Sequence, residues 1–190
     1  MDARIGASFL RAGIGYGGSC FPKDVDAFAS IADKLGYPFG LLKEVQRINA
    51  EQRARFVKRM EEELWVLKEK RIGILGLSFK PDTDDVRESP AIDIANRLAE
   101  KGAHVRAYDP KAVEKARPLL QGVEIVASAY DAADGADALV IATEWKEFRD
   151  IDLVKLKSHL AHPTVFDGRN LFVPSRMKEL GFRYFSIGRP

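Results

Sequence analysis

The sequence contains little of what several classes of protein need. It has a single cysteine, Cys20, so no disulfide can form within the chain, and a reducing compartment such as the cytoplasm is expected. No apolar run approaches the ~20 residues that a membrane-spanning helix needs, so no membrane partner is predicted. The histidines show neither ligand spacing nor cysteine partners, so no metal site is predicted.

An excess of charge of one sign is also missing. The 30 basic and 28 acidic side chains are interspersed and leave a net charge of +2. Proteins that bind nucleic acid usually concentrate basic residues on one surface, so no nucleic-acid partner is predicted. A hydrophobic content of 46% is ordinary for a globular protein, and 190 residues allow one large or two small domains.

From residue 71 onward, short apolar segments alternate with helical ones. Strands are predicted at residues 72–77, 104–108, 123–126, 138–142, 164–166 and 184–187. A helix is predicted to begin at Pro90, with Ser89 as its cap, and further helices separate the later strands. This alternation predicts an α/β domain over residues 71–190, with a Rossmann-like, doubly wound parallel sheet.

Residues 1–70 are predicted to be all-α, with the end of a helix at residues 3–10, a helix at residues 22–35 and one long helix that continues to about residue 70. The side chains of its stripe recur at three- and four-residue spacing: Val45, Ile48, Gln52, Phe56, Met60, Leu64 and Leu67. A helix of ~30 residues spans roughly 45 Å, which is longer than the core of a small domain. It is expected to link two domains, to form a dimer interface, or both.

The single cysteine follows a glycine-rich segment, residues 15–19, and Pro22 places it at the start of a helix. The glycines would let a substrate approach the backbone closely. The helix N-terminus and Lys23 favour a thiolate, and Asp24, one turn further on, could deprotonate a water molecule. A free cysteine is also often an inert apolar residue, so both roles for Cys20 stay open.

A long charged loop, residues 79–90, follows the first strand, at the edge where open α/β sheets bind ligands. Phe79 can cover a base or sugar, and Lys80 and Arg87 can meet phosphate, unless this is simply a solvated loop. Arg169, after the fifth strand, could reach the same ligand or could pair with Asp167.

The first turn of the sheet lacks the G-x-G-x-x-G fingerprint of a dinucleotide site, because Gly76 is followed by Leu, Ser, Phe, Lys and Pro. Asp109, at the end of the second strand, is therefore expected to cap a helix and not to hold a ribose. Trp65 and Trp145 are expected to be packing residues.

Three motifs in this order resemble the UDP-glucose/GDP-mannose dehydrogenase family. They are Gly-Gly-Ser-Cys-Phe-Pro-Lys-Asp at residues 17–24, Gly-Leu-Ser-Phe-Lys-Pro-Asp-Thr-Asp-Asp-Val-Arg-Glu-Ser-Pro at residues 76–90, and Phe-Asp-Gly-Arg-Asn at residues 166–170. The Thr-Glu-Trp segment at residues 143–145, with Phe148, is similar to the UDP-glucose branch of the family.

The resemblance implies an NAD-dependent oxidation of UDP-glucose in two hydride transfers. Cys20 would form a thiohemiacetal and then a thioester, and Asp24 would assist hydrolysis. Lys23 and Arg87 would contact NAD, and the long helix would form a homodimer in which Arg4 reaches the neighbouring subunit's site. The implied substrate-binding residues are Arg4, Arg11, Gly15, Tyr16, Gly17, Phe79, Lys80 and Arg169.

The resemblance also has a gap. The family has an N-terminal NAD domain, a helical middle domain and a C-terminal UDP-binding domain. Residues 1–70 match the last part of the middle domain and residues 71–190 match the C-terminal domain, so this chain alone is expected to lack dehydrogenase activity. The alternatives are a dehydrogenase for another nucleotide sugar, such as GDP-mannose, and a module that binds UDP-sugars and dimerises without turnover.

Overall fold

The computed structural model describes residue 6 and residues 10–189. The predicted helix end at residues 3–10 falls mainly outside the described residues, and Arg4 lies outside them as well. Within the described part of the chain, two helices precede the sheet. The first, α1, covers Cys20–Lys34 and ends, as predicted, just before Gly36, which adopts φ +75°.

The long helix, α2, covers Gly40–Leu64. It ends six residues earlier than predicted, because Trp65 adopts φ 68° and breaks the helical path. Trp65 is 92% exposed, so the prediction that it packs in the core was wrong. The chain still returns to the core at Leu67, which is 1% exposed.

The two halves of α2 have different surroundings. Phe56 and Met60, in the second half, are buried, and the Phe56 ring meets that of Phe166 edge-on with 6.4 Å between centroids. In the first half, Leu41 is 71% exposed and Ile48 is 48% exposed. The second half of α2 therefore shares one hydrophobic core with the sheet, while the first half extends beyond it.

The sheet has six strands, all parallel, in the order β3-β2-β1-β4-β5-β6. The strands are β1 Arg71–Leu75, β2 His104–Tyr108, β3 Val123–Ile125, β4 Ala138–Ile141, β5 Thr164–Asp167 and β6 Arg183–Ser186. This confirms the predicted fold class. Strand order reverses between β1 and β4, and ligands of open α/β sheets bind at the carboxyl ends of the strands at such a point.

Helices cover both faces of the sheet. They are α3 Pro90–Glu100, α4 Val113–Ala116 with a 3₁₀ turn at Arg117–Leu119, α5 Ala129–Ala133, α6 Lys146–Arg149, α7 Leu153–His159 and α8 Pro174–Glu179. One face packs against α2 and α3, and the other against α5, α7 and α8. Pro90 begins α3 as predicted, but the Ser89 hydroxyl does not cap the helix: it donates to the Leu77 carbonyl at 2.7 Å.

Candidate functional site

The loops after β1, β2 and β4 are joined through one buried carboxylate. Asp109 is 2% exposed, and its Oδ2 accepts from the N–H groups of Leu77 and Ser78 and from the Trp145 indole at 2.7, 3.1 and 3.1 Å. Its Oδ1 accepts from the N–H groups of residues 111 and 112. Asp109 thus binds the backbone ahead of α4 and holds the loop after β1. The N-cap of α4 is Ala112, with no side-chain cap, so the prediction that Asp109 caps this helix was wrong. Neither oxygen is left for a ribose.

A second buried carboxylate shapes the loop after β5. Asp167 accepts from the Arg169 N–H at 3.0 Å, the Phe172 N–H at 3.0 Å and the Tyr184 hydroxyl at 2.6 Å. Burial raises the pKa of Asp167, and the Tyr184 hydrogen bond opposes that rise. These contacts fix the path of residues 168–171.

The Arg169 guanidinium pairs with Glu144, which follows β4. Nη2 lies 3.0 Å from Oε1, and Nε donates to Oε2. The suggested ion pair between Arg169 and Asp167 was wrong, because Arg169 donates to Asp167 through its backbone N–H and not through its guanidinium. The Arg169–Glu144 pair joins the ends of β5 and β4 on the cleft side.

The chain segment before α1, residues 11–19, is named here the glycine loop. It is attached to the sheet domain by two backbone hydrogen bonds: the Ile14 N–H donates to the Gly168 carbonyl at 3.0 Å, and the Gly18 N–H donates to the Arg87 carbonyl at 2.9 Å. Asn170 Nδ2 also donates to the Ala12 carbonyl at 3.4 Å. Ile14 is fully buried. The glycine loop is therefore packed into the fold on the side of the loops after β1 and β5.

The glycines in this loop are required by neighbouring protein atoms. At Gly15, which has φ +109°, a Cβ would come within 2.6 Å of Asn49 Oδ1. At Gly17 it would come within 2.2 Å of the Glu88 carbonyl oxygen, and at Gly18 within 2.7 Å of the Phe79 ring. Close packing within the protein thus accounts for these glycines, which sequence reasoning had assigned to close approach of a substrate.

A cleft of about 950 Å³ lies between the glycine loop, α2 and the loops after β1, β4 and β5. Seven of the predicted substrate-binding residues line it: Arg11, Gly15, Tyr16, Gly17, Phe79, Lys80 and Arg169. They come from three segments that are far apart in the sequence, and the switch in strand order brings them together. The eighth predicted residue, Arg4, lies outside the described residues.

The charge in this cleft is mainly positive. Four cationic side chains line it, Arg11, Lys80, Arg149 and Arg169, against the single carboxylate of Glu144. Among the residues that the structure describes, only Arg169 of these four has an acidic partner. The cleft walls also carry apolar and aromatic surface. This combination suits a ligand with an anionic part and a planar or apolar part.

The residues predicted for catalysis lie at the start of α1. Cys20 is exposed at the first residue of α1, between Gly17 and Phe21, which both line the cleft. Asp24 lies one turn further along α1 and pairs with Lys23 at 3.3 Å, both side chains being well exposed.

Arg87, the second residue predicted to contact the cofactor, comes from the loop after β1. Its guanidinium forms a two-point contact with Asp85, with Nε 2.9 Å from Oδ1 and Nη2 2.7 Å from Oδ2. The Arg87 carbonyl accepts the Gly18 N–H at 2.9 Å, two residues before Cys20. The loop after β1 therefore lies beside the start of α1.

Sequence reasoning assigned no site role to five polar residues that line the cleft: Asn49, Gln52, Glu144, Arg149 and Asn170. Gln52 carried an available signal, because it is a polar residue within an otherwise apolar stripe of α2. Arg149 lies on α6, a four-residue helix that was not predicted.

Two negative observations apply to the described part of the chain. No group of three or more His, Cys, Asp or Glu side chains is arranged to hold a metal ion there. No helix among those residues is both long and apolar enough to cross a membrane.

Comparison with protein families gives two matches. The UDP binding domain of the UDP-glucose/GDP-mannose dehydrogenase family matches residues 73–174, and the central domain of the same family matches residues 1–51. The first match alone covers more than half of the chain.

Individual relatives agree with this. The chain is 47% identical over 191 residues to the UDP-glucose 6-dehydrogenase TuaD of Bacillus subtilis, covering 100% of this chain and 41% of that protein. It is 44% identical to the UDP-glucose 6-dehydrogenase of Rhizobium meliloti, covering 100% of this chain and 44% of that protein. The chain therefore spans about two fifths of the length of these relatives.

Solved structures of nucleotide-sugar dehydrogenases also match nearly the whole of this chain. A UDP-glucose dehydrogenase from the archaeon Pyrobaculum islandicum matches with a TM-score of 0.83 at 36% identity, covering 99% of this chain and 41% of that one. A ternary complex of GDP-mannose dehydrogenase from Pseudomonas aeruginosa matches with a TM-score of 0.77 at 26% identity, covering 97% of this chain and 42% of that one.

Proposed function

Because the chain belongs to the UDP-glucose/GDP-mannose dehydrogenase family, we propose that it is the C-terminal part of an NAD-dependent enzyme that oxidises UDP-glucose to UDP-glucuronate. The observation that carries this proposal is the cleft. In it, residues from three separate motifs surround one cationic space beside the only cysteine of the chain.

The cleft is proposed to bind the UDP part of the substrate. Lys80 and Arg11 have no acidic partner among the described residues, so their charges are available to the diphosphate. Glu144 holds the Arg169 guanidinium in the cleft, and the remaining N–H groups of that guanidinium can donate to the ligand. Phe79 and Tyr16 supply aromatic surface for the base or the sugar.

Cys20 is proposed to be the nucleophile. When the C6 alcohol of the glucose has lost a hydride and a proton, the Cys20 sulfur adds to the resulting aldehyde carbon and gives a thiohemiacetal. Loss of a second hydride from that carbon and of the hydroxyl proton gives a thioester. Water then attacks the acyl carbon, which releases the uronate and returns the thiol. Asp24, one turn along α1, is proposed to accept a proton from that water.

The hydride acceptor is proposed to be NAD, which supplies two successive two-electron oxidations when bound. The crevice between β1 and β2 does not fit a dinucleotide, because protein donors occupy both oxygens of Asp109 and the fingerprint glycines are missing. Lys23 lies one turn along α1 from Cys20, and the Arg87 carbonyl accepts the Gly18 N–H. Both side chains are exposed cations and fit outer contacts to NAD phosphates. We propose that the rest of the NAD site belongs to parts of the protein outside this chain.

The partner is proposed to be a second copy of the chain. Exposed apolar side chains gather on α1, on the turn after it and at the start of α2. The most exposed are Phe28, Ile31, Leu35, Tyr37 and Leu41, between 52% and 79%. This surface includes the first half of the long helix, and a homodimer would cover it.

A second candidate is a module that binds UDP-sugars and dimerises without turnover. The occupied oxygens of Asp109 favour it for the isolated chain, because they leave no dinucleotide site in the sheet domain. The two candidates share the UDP cleft and differ in whether the isolated chain turns over.

Thermal unfolding with and without ligands tests the proposal. UDP-glucose is expected to raise the Tm of the chain, NAD to have little effect, and the mixture to form no NADH at 340 nm. Stabilisation by GDP-mannose and not by UDP-glucose would overturn the substrate assignment. NADH formation by the isolated chain would show that the NAD site is complete within it.

A further inference from the structure

The polar face of α2 contacts the glycine loop at two points. Asn49 Oδ1 accepts from the Tyr16 N–H at 2.8 Å, and Asn49 Nδ2 donates to the Tyr16 carbonyl at 3.2 Å. One helical turn later, Gln52 Nε2 donates to the Gly13 carbonyl at 3.1 Å. The backbone of the loop is thus held by side chains that the proposed chemistry does not use.

We propose that Asn49 is a positioning residue for the nucleotide-sugar cleft. Its amide fixes the backbone on which Arg11, Tyr16 and Gly17 are carried, and all three line the cleft. This inference rests on the proposed function of the cleft as a UDP site. It adds a role for a residue that none of the family motifs in this sequence contains.

The contact needs both halves of an amide. One atom must accept the Tyr16 N–H and the other must donate to the Tyr16 carbonyl. A carboxylate has only acceptors, so it would face the carbonyl with an unpaired oxygen, whereas a protonated carboxyl group again has one donor and one acceptor. Gly15 makes the close approach possible, since a Cβ there would lie 2.6 Å from Asn49 Oδ1.

Loss of the Asn49 amide is expected to leave the fold intact. The glycine loop keeps its backbone bonds from Ile14 to Gly168 and from Gly18 to Arg87. Only the segment between these two bonds loses its contact with α2. The effect is therefore expected on ligand binding more than on folding.

The test is calorimetric titration of the 190-residue chain with UDP at pH 7.5 and pH 4.5, using the unaltered chain, Asn49→Ala and Asn49→Asp. Asn49→Ala is expected to bind about tenfold more weakly at both pH values, as for the loss of a paired hydrogen-bond contact. At pH 7.5, Asn49→Asp is expected to bind UDP as weakly as Asn49→Ala does. At pH 4.5 it should approach the unaltered chain, because the facing carbonyl raises the pKa of the new carboxyl above its ordinary value of about 3.9.

Other titratable groups lie in this region: the neutral Tyr16 phenol, Asp26 on α1 and Arg53 on α2, which act on that phenol, and Arg11 and Lys80 on the cleft wall. They are the same in all three proteins, so their titration and that of UDP cancel when affinities are compared at one pH. Circular dichroism checks that each variant is folded at each pH. Amide exchange gives a second measurement: Asn49→Ala should speed exchange at Tyr16 and leave Ile14 unchanged.

Each outcome is decisive for one of the two proposals. If Asn49→Ala binds UDP as tightly as the unaltered chain, the positioning role is wrong and the UDP cleft stands. If the deficit of Asn49→Asp is the same at both pH values, the paired donor and acceptor are not what the loop needs, and the inference is also wrong. If the unaltered chain does not bind UDP, the proposed function fails and the role of Asn49 fails with it.

Discussion

The Tyr184 hydroxyl donates a 2.6 Å hydrogen bond to the buried carboxylate of Asp167, directly below the loop that carries Arg169 into the cleft. Tyr184 stands on β6 and Asp167 ends β5, so the bond joins the outermost strand to the functional edge of the sheet. The shape of that edge therefore depends on a residue outside the cleft.

Tyr184→Phe is expected to cost about 1.5–3 kcal/mol of unfolding free energy at pH 7, because a buried carboxylate loses a donor. Burial raises the pKa of Asp167 above 3.8, so its contribution to stability is largest at low pH and declines as pH rises through the raised pKa. Without the hydroxyl the pKa rises further. The difference between the two proteins should thus grow from about pH 4 to pH 7.

Urea unfolding of both proteins at several pH values measures this. Tyr130→Phe is the control, because the Tyr130 ring makes contacts while its hydroxyl has no hydrogen-bond partner among the described residues. A penalty for Tyr184→Phe that does not change with pH would contradict the account of Asp167.

Replacement of the two tryptophans is expected to change the free energy of unfolding by very different amounts. Trp145→Phe removes the indole N–H from the buried Asp109 and should cost about 1–3 kcal/mol of unfolding free energy. Trp65→Phe, at a side chain that is 92% exposed, should change it by less than about 0.5 kcal/mol. Chemical denaturation compares them, and equal losses would argue against the role of Asp109 in joining the loops.

Gly15→Ala is expected to weaken UDP binding and to lower the Tm, because the new Cβ would lie 2.6 Å from Asn49 Oδ1 at a backbone φ of +109°. Gly36→Ala is the matched control: it has φ +75° but no atom within 4 Å of a Cβ. Gly36→Ala should show only the effect of backbone strain on the Tm, and its affinity for UDP should be unchanged. Similar UDP affinities for the two variants would contradict the packing of the glycine loop on α2.

Leu41→Lys is expected to convert a dimer into a monomer in light scattering coupled to size-exclusion chromatography. Leu41 is 71% exposed within the apolar surface of α1 and α2, and a charge there would have to be buried on association. Val154→Lys, at a residue of α7 that is 67% exposed, should leave the mass unchanged. If the unaltered chain is a monomer in this measurement, the proposed homodimer is wrong.

The parallel sheet was predictable because strands such as Ala138–Ile141, buried on both faces, are short uninterrupted apolar runs. The end of α2 was not, because it depends on one dihedral angle at Trp65. The four residues of α6 are too few to show a helical period.

The candidate site was predictable where a motif stands at a strand end or a helix start, as with Lys80 and Cys20. Their convergence depends on strand order, which periodicity does not contain. The pairing of Arg169 with Glu144 depends on the neighbouring ends of β5 and β4. The role of Asn49 depends on how a helix far along the chain meets the glycine loop.

The most direct measurement is calorimetric titration of the unaltered chain, Lys80→Ala and Lys178→Ala with UDP. Lys80 lines the cleft, while Lys178 is an exposed residue of α8 with no acidic partner among the described residues. The account predicts saturable binding of one UDP per chain, weakened about tenfold or more by Lys80→Ala, which removes a charged donor, and unchanged by Lys178→Ala. No binding by the unaltered chain, or equal binding by Lys80→Ala, would contradict it.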